Sequence, residues 1–135
     1  MKDLTWIKTS LFAHRGLHTQ DQTVPENSIQ AFKRAIEKGY GIELDITLMR
    51  DDSVVVFHDK DLNRLCGVNR NLSDLYYRDL EPYRLVKTEE KIPLLQTVLD
   101  LVGGKVPLLI ELKPHSNHQR LCEEFMKLMD RYQGV

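Results

Sequence analysis

The stretch from Gly41 to Ile46, with the sequence GIELDI, constrains this chain more than any other. Its apolar residues and flanking glycines are typical of a buried strand, yet it also carries Glu43 and Asp45. Residues two apart along a strand point to the same face, so the two carboxylates are expected side by side. Neighbouring carboxylates repel each other and are costly to bury without a positive partner. The strand therefore requires a cation or basic side chains beside it.

The composition excludes several broad functional classes. The chain has 135 residues, of which 41% are hydrophobic and 29% charged, and its net charge is −1. This supports one core of ordinary domain size and provides no positive field to attract nucleic acid. The two cysteines, Cys66 and Cys122, lack CxxC spacing and are expected to be reduced thiols. No apolar run has the length of a signal peptide or a membrane span, so we expect a cytoplasmic protein without stable membrane insertion.

Strand-like and helix-like segments alternate, which predicts an α/β fold with a mostly parallel sheet. A first helix is expected to start at a cap, Asn27 or Ser28, and to end at Gly39. Residues 50–53 are too few for a crossover helix, so the chain doubles back irregularly there or forms one antiparallel pair. The expected strands are residues 11–14, 41–48, 54–58 and 106–112, the later helices are residues 92–102 and 121–132, and residues 59–91 form a long excursion with short helical turns.

Every expected strand ends in ionisable residues, and the carboxyl ends of parallel strands meet at one edge of a sheet. Glu43 and Asp45 would meet Glu111 there, which makes an all-oxygen set suited to Ca²⁺ or Mg²⁺. Zinc is disfavoured because no Cys–His ligand spacing occurs. The alternative is an ion cluster without a metal, in which Arg15 and Lys113 neutralise the carboxylates. These two side chains are also candidates for binding phosphate.

Two of the five histidines, His14 and His58, fall at equivalent strand ends. Imidazole transfers protons near neutral pH, so both are candidates for general acid–base catalysis beside a cation. A structural role would be the ordinary explanation for one such histidine, but two at matching positions favour catalysis. The loop residues His18 and His115 could reach a substrate but are not expected to do so. Asn27 could donate to a substrate oxygen instead of capping the helix.

Residues 59–91 combine tyrosines with arginines, a pattern that can bind single-stranded nucleic acid. Acidic residues lie among them and the net charge is near zero, which argues against such a partner. The segment also lacks a strongly apolar patch for docking to lipid. We therefore expect loop and surface here. The aromatic and basic residues concerned are Tyr76, Tyr77, Tyr83, Arg64, Arg70, Arg78 and Arg84.

Five short motifs follow one another over residues 10–114. They are His14-Arg15-Gly16, Pro25-Glu26-Asn27-Ser28, Glu43-Leu44-Asp45, His58-Asp59 and Glu111-Leu112-Lys113. Each motif is short, but the ordered set is specific, and it resembles the glycerophosphodiester phosphodiesterase family. The resemblance implies a TIM-type (β/α)8 barrel, a bound divalent cation, and hydrolysis of small-molecule glycerophosphodiesters to glycerol 3-phosphate and an alcohol.

The resemblance also implies a role for each matching position. In the family, the glycerol 2-hydroxyl is thought to attack phosphorus first, giving a cyclic phosphate that water then opens. By position, the metal ligands would be Glu43, Asp45 and Glu111, the acid–base pair His14 and His58, and the phosphate-binding residues Arg15 and Lys113.

The chain departs from the family in length. A (β/α)8 barrel takes about 250 residues, so residues 1–135 are interpreted as one partial domain, the N-terminal half of the barrel with strands one to four. Since a half barrel leaves strand edges unpaired, we expect a fragment or a truncated product, with a homo-oligomer covering the open edges as the alternative. Two other functions stay open: a non-catalytic half barrel that binds cation or phosphate or oligomerises, and a related phospholipase-type phosphodiesterase.

Overall fold

The computed structural model describes residues 3–135, and within them it shows four strands in one sheet, with helices packed against it. No helix in this range is long and apolar enough to cross a bilayer. The strands are β1 (Phe12–His14), β2 (Gly41–Leu48), β3 (Val54–Val56) and β4 (Leu108–Leu112). The helices are α1 (Thr5–Thr9), α2 (Ile29–Glu37), α3 (Asn63–Cys66), α4 (Leu95–Val102) and α5 (His118–Met129), with 3₁₀ turns at Leu72–Asp74 and Tyr77–Leu80.

Strand β2 lies at the centre of the sheet. Strand β4 pairs with it in parallel along one edge, where Ile42 is opposite Leu108 and Ile46 opposite Leu112. Strands β1 and β3 share the other edge, because Ile42 also pairs with β1 and Ile46 also pairs with β3. The β1 pair is parallel and the β3 pair is antiparallel. The antiparallel alternative for the short connection is therefore confirmed, and the third expected strand ends at Val56, two residues earlier than expected.

The two faces of β2 carry different chemistry. Ile42, Leu44 and Ile46 are fully buried and belong to the main core, together with apolar residues of α2, α4 and α5. Because side chains alternate along a strand, Glu43 and Asp45 project from the opposite face. One short strand therefore contributes apolar side chains to the core and presents two carboxylates on its other face.

Helix α2 begins as the sequence predicts. The Ser28 Oγ accepts a hydrogen bond from the Ala31 backbone N–H at 3.1 Å, so Ser28 is the cap and Asn27 is not. Gly39 follows the helix with φ of +70°, the left-handed conformation common after a helix end. Asn27 itself is buried and left-handed, with φ of +54°. Its side chain is thereby free to point toward the carboxylates of β2.

Residues 57–92 fold around a second hydrophobic core. Phe57, Leu62, Leu72 and Leu75 are almost completely buried within it. The Arg50 N–H donates to the Leu75 carbonyl at 2.9 Å, which joins this unit to the end of β2. The expected excursion with short helical turns is confirmed, and its apolar residues explain how so long a segment is ordered.

Candidate active site

Three carboxylates meet where the middle of β2 lies beside β4. One oxygen each of Glu43, Asp45 and Glu111 lies within 4.8 Å of the others, close enough to hold one metal ion. Asp45 and Glu111 are direct partners in the β2–β4 register. The side chain of Asp45 is 1% exposed and that of Glu43 13%, whereas that of Glu111 is 58% exposed. This carboxylate triad is therefore buried on the β2 side and open on the β4 side.

Asp45 lies among positive and polar groups that do not fully satisfy it. The Asn27 Nδ2 donates to the Asp45 Oδ2 at 3.1 Å, and the Arg15 Nε lies 3.5 Å from the same oxygen. The Lys113 Nζ lies 3.7 Å from the Asp45 Oδ1, which is buried and has no hydrogen-bond partner among the described residues. The Asn27 Oδ1 is also buried without a partner there. Buried unpaired oxygens are costly, so these two atoms mark where a further donor or a cation would be favourable.

Glu43 carries the clearest electrostatic signature of the triad. Burial, together with the charges of Asp45 and Glu111, raises the pKa of the Glu43 carboxyl above its ordinary value. The backbone N–H of Arg15 donates to its Oε2 at 3.0 Å and only partly offsets this. By contrast, the hydrogen bond from the Lys113 Nζ at 2.8 Å holds the pKa of Glu111 below its ordinary value. Negative charge is therefore in excess at the buried end of the triad.

His14 ends β1 opposite Glu43 in the strand register. Its imidazole is 68% exposed, and its Nε2 lies 3.7 Å from the Glu43 Oε2. The structure thus brings His14 to the triad, on the side that is open to solvent.

His58 reaches the same site from a different direction than the sequence predicts. Because β3 runs antiparallel to β2, its carboxyl end turns back toward the middle of β2, and the Phe57 N–H donates to the Asp45 carbonyl at 3.0 Å. The His58 Nδ1 donates to the Asp59 Oδ1 at 2.8 Å. The His115 Nε2 donates to the His58 carbonyl at 3.0 Å. His115, which the sequence does not predict at the site, therefore contacts the backbone there.

Three further charged residues, Glu26, Arg64 and Asp59, bind the predicted site residues or one another. Glu26 is 2% exposed and accepts a hydrogen bond from the Arg15 Nη1 at 2.9 Å. Burial opposes the charge of Glu26, but hydrogen bonds and charges of Arg64 and Arg15 outweigh it and lower the pKa of this carboxyl. Arg64 also binds Asp59 through two hydrogen bonds. The sequence shows Glu26 only as part of a motif and predicts Arg64 at the surface, because no local pattern reports contacts between distant segments.

The stability of the fold at low pH tests the contacts of Asp59 with Arg64 and His58. The hydrogen bonds from Arg64, then those from His58, lower the pKa of Asp59 to about 2. A carboxyl with a lowered folded-state pKa stabilises the fold above its unfolded pKa of about 4, and that stability is lost as the pH falls toward 2. We expect urea unfolding to show Asp59→Asn losing about 1 kcal/mol at pH 7, after allowance for partial exposure, and much less at pH 2. A pH-independent loss would contradict this.

Residues 14–133 match the model of the glycerophosphoryl diester phosphodiesterase family. A glycerophosphodiester phosphodiesterase from Caldanaerobacter subterraneus subsp. tengcongensis is 39% identical over 79% of this chain and 46% of its own length. A human relative, Lysophospholipase D GDPD1, is 37% identical over 79% of this chain and 37% of its own length. The chain thus spans less than half of the length of these two curated relatives.

Solved structures give the same result for the fold. The glycerophosphodiester phosphodiesterase from Thermotoga maritima superposes with a TM-score of 0.76 at 30% identity, over 92% of this chain and 50% of that one. A phosphodiesterase from Oleispira antarctica superposes with a TM-score of 0.81 at 23% identity, over 91% and 52%. These neighbours are TIM barrels, so the expected fold class, an α/β half of a (β/α)8 barrel, is confirmed.

Proposed function

The chain belongs to the glycerophosphoryl diester phosphodiesterase family, and from this membership we propose that it carries the half of a phosphodiesterase that contains the catalytic residues. In this proposal, residues 1–135 are the N-terminal half of the barrel. The reaction is divalent-cation-dependent hydrolysis of a glycerophosphodiester to glycerol 3-phosphate and an alcohol. The carboxylate triad carries the proposal, since it brings three oxygens within 4.8 Å of one another beside one histidine, His14, and two cations, Arg15 and Lys113.

The residues present fit a hard divalent cation. The triad is all oxygen, which suits Ca²⁺ or Mg²⁺ better than zinc. The buried Asp45 Oδ1 lacks a hydrogen-bond partner among the described residues, and the pKa of Glu43 is raised by burial and by its acidic neighbours. Both observations are consistent with a cation as the partner of this side of the triad. When bound, the cation would polarise the phosphoryl oxygens and favour ionisation of the attacking hydroxyl.

Arg15 and Lys113 would orient the phosphate. Both already lie within 4 Å of Asp45, so a phosphate held by them would lie against the carboxylate triad. Arg15 offers a planar fork with several donors, whereas Lys113 offers a single compact charge. Charge-assisted hydrogen bonds of this kind strengthen as charge develops on the phosphoryl oxygens.

His58 and His14 would move the protons. Since the His58 Nδ1 donates to Asp59, its Nε2 is free to accept the proton of the attacking glycerol 2-hydroxyl. His14 would donate a proton to the alcohol oxygen as its bond to phosphorus breaks, which leaves a cyclic phosphate. Water then attacks phosphorus with the histidine roles reversed, and the bond to the 2-oxygen breaks to give glycerol 3-phosphate.

A second candidate substrate is a lysophospholipid. The relative named Lysophospholipase D GDPD1 is 37% identical over 79% of this chain. Both candidate substrates contain a glycerol phosphodiester. The lysophospholipid also carries an acyl chain, which would need apolar contacts. The non-catalytic half barrel, the homo-oligomer and the cytoplasmic location stay predictions; sizing by light scattering and cell fractionation test the last two.

The activity assay uses the purified chain with glycerophosphocholine or lysophosphatidylcholine and Ca²⁺ or Mg²⁺. We expect release of glycerol 3-phosphate from the first substrate, abolished by EDTA. We expect His14→Ala and His58→Ala each to lower kcat/KM by about 100-fold or more, because each removes a proton-transfer group. His118→Ala is the matched control, since His118 is exposed on α5 and should have no effect.

Three outcomes would count against this proposal. Equal release by the wild-type chain and His14→Ala would exclude the assigned chemistry for residues 1–135. Preferential cleavage of lysophosphatidylcholine would replace the first substrate by the second. If no variant is active but Ca²⁺ raises the melting temperature, the non-catalytic cation-binding half barrel would be favoured instead.

A further inference from the structure

Arg64 lies between two carboxylates that belong to different parts of the site. Its Nε and Nη2 donate to the two oxygens of Asp59 at 2.9 and 3.0 Å. Its Nη1 and Nη2 donate to the two oxygens of Glu26 at 2.6 and 2.9 Å. The guanidinium is thus bidentate to both carboxylates at once, a geometry that its planar fork allows and a lysine ammonium does not.

Each of these carboxylates in turn holds a side chain of the proposed reaction. Asp59 accepts from the His58 Nδ1 at 2.8 Å, and Glu26 accepts from the Arg15 Nη1 at 2.9 Å. One branch therefore leads from Arg64 to a histidine that follows β3, and the other leads to an arginine that follows β1. The two branches start from a single side chain on helix α3, in the segment that the sequence pattern assigns to surface.

We propose that Arg64 is a positioning residue that orients His58 through Asp59 and Arg15 through Glu26. This inference rests on the function proposed above. Arg64 contacts neither proposed histidine nor the triad in the hydrogen bonds and ion pairs of the described residues, so its effect is transmitted through the two carboxylates.

The consequence for His58 is a fixed tautomer. A carboxylate held on both oxygens by Arg64 cannot rotate away from the imidazole, so the proton stays on Nδ1 and Nε2 keeps its lone pair. Without Arg64, the Asp59 carboxylate is free to turn to solvent. The His58 ring then loses the acceptor that favours its Nδ1–H tautomer.

For Arg15, the consequence concerns its position, because its guanidinium contacts two carboxylates. Its Nη1 binds Glu26 at 2.9 Å while its Nε lies 3.5 Å from Asp45. Glu26 is buried, so loss of Arg64 would leave its charge to be neutralised by Arg15 alone. We expect Arg15 then to move closer to Glu26 and away from the phosphate-binding position.

The test compares Arg64→Ala and Arg64→Lys with Arg120→Ala. Arg120 is a matched control because its guanidinium also bridges several carboxylates, those of Asp52, Glu123 and Glu124, none of which is a proposed site residue. Two-bond ¹H–¹⁵N spectra of the histidine rings should show His58 as the Nδ1–H tautomer in the wild type and in Arg120→Ala. Both Arg64 variants should show a mixture of tautomers.

Kinetics give the second readout. We expect Arg64→Ala and Arg64→Lys to lower kcat by about 10-fold or more through His58 and to raise KM through Arg15. Free guanidinium should restore part of the activity of Arg64→Ala and none of that of His58→Ala. Arg64→Lys retains a long basic side chain in α3, so it keeps the test valid if the alanine variant does not fold.

The proposal would be overturned if His58 kept a single Nδ1–H tautomer in both Arg64 variants, or if these variants were as active as Arg120→Ala. If the wild-type chain shows no phosphodiesterase activity, the proposed function fails, while the tautomer spectra still decide whether Arg64 positions His58.

Discussion

Glu43→Gln should make the cation-free protein more stable and at the same time weaken its binding of divalent cations. The half-buried Glu43 faces Asp45 and Glu111, and burial together with these charges raises the pKa of its carboxyl. A neutral amide relieves the repulsion, and its oxygen can still accept the Arg15 N–H. We expect the free energy of unfolding at pH 7 to rise by about 1 kcal/mol without cation.

The affinity of Glu43→Gln for divalent cations should fall, although its stability without cation rises. Loss of one of three carboxylate ligands should weaken Ca²⁺ or Mg²⁺ binding by about 100-fold, measured as the rise in melting temperature during a cation titration. Glu111→Gln is the matched control. The Lys113 hydrogen bond lowers the pKa of Glu111, so neutralising it should lose cation binding without stabilising the cation-free protein. An unchanged cation response in either variant would contradict the triad as a metal site.

Gly16→Ala should destabilise the fold by about 3 kcal/mol, for two separable reasons. Gly16 has φ of +77°, which costs any other residue about 1 kcal/mol. A Cβ there would also lie 2.8 Å from the Ala31 Cβ and 2.9 Å from the Phe32 Cδ1, inside the packed start of helix α2. The clash would displace the turn that carries Arg15, so the proposed phosphodiesterase activity should fall together with stability.

Gly39→Ala separates the two contributions. Gly39 has φ of +70°, but a Cβ at this position would have no neighbouring atom within 4 Å, so this variant should lose only about 1 kcal/mol. Urea unfolding of both variants gives the difference directly. If Gly16→Ala were no more destabilised than Gly39→Ala, the close approach of α2 to this turn would not be a constraint on the fold.

The local pattern of the chain predicts correctly which three carboxylates come together. Alternation in β2 places Ile42 and Leu44 in the core and Glu43 and Asp45 on the opposite face, because a period of two leaves no other arrangement. Glu111 follows from the same argument once β4 is recognised as a parallel neighbour. These predictions depend only on side-chain direction and on the common end of parallel strands.

Features that depend on contacts between distant segments could not be predicted from the sequence. The short connection before β3 is compatible with two pairings, and only the packed structure shows that His58 arrives by an antiparallel strand. Asn27 and Ser28 are equally good caps by residue type, so the choice between them rests on the contact of Asn27 with Asp45. Arg64 could not be assigned to the site either, because its contact with Glu26 joins residues 38 positions apart and its contact with Asp59 follows no helix or strand period.

The division of the carboxylate triad between strands has a thermodynamic consequence. Glu43 and Asp45 lie on β2, whereas Glu111 arrives only when β4 closes the long loop that separates it from β2. A cation that needs all three carboxylates binds only the state in which β4 is docked. Ion binding and strand docking are then linked equilibria, and each must strengthen the other by the same free energy. The ion would thus hold the edge strand β4 against the central strand β2.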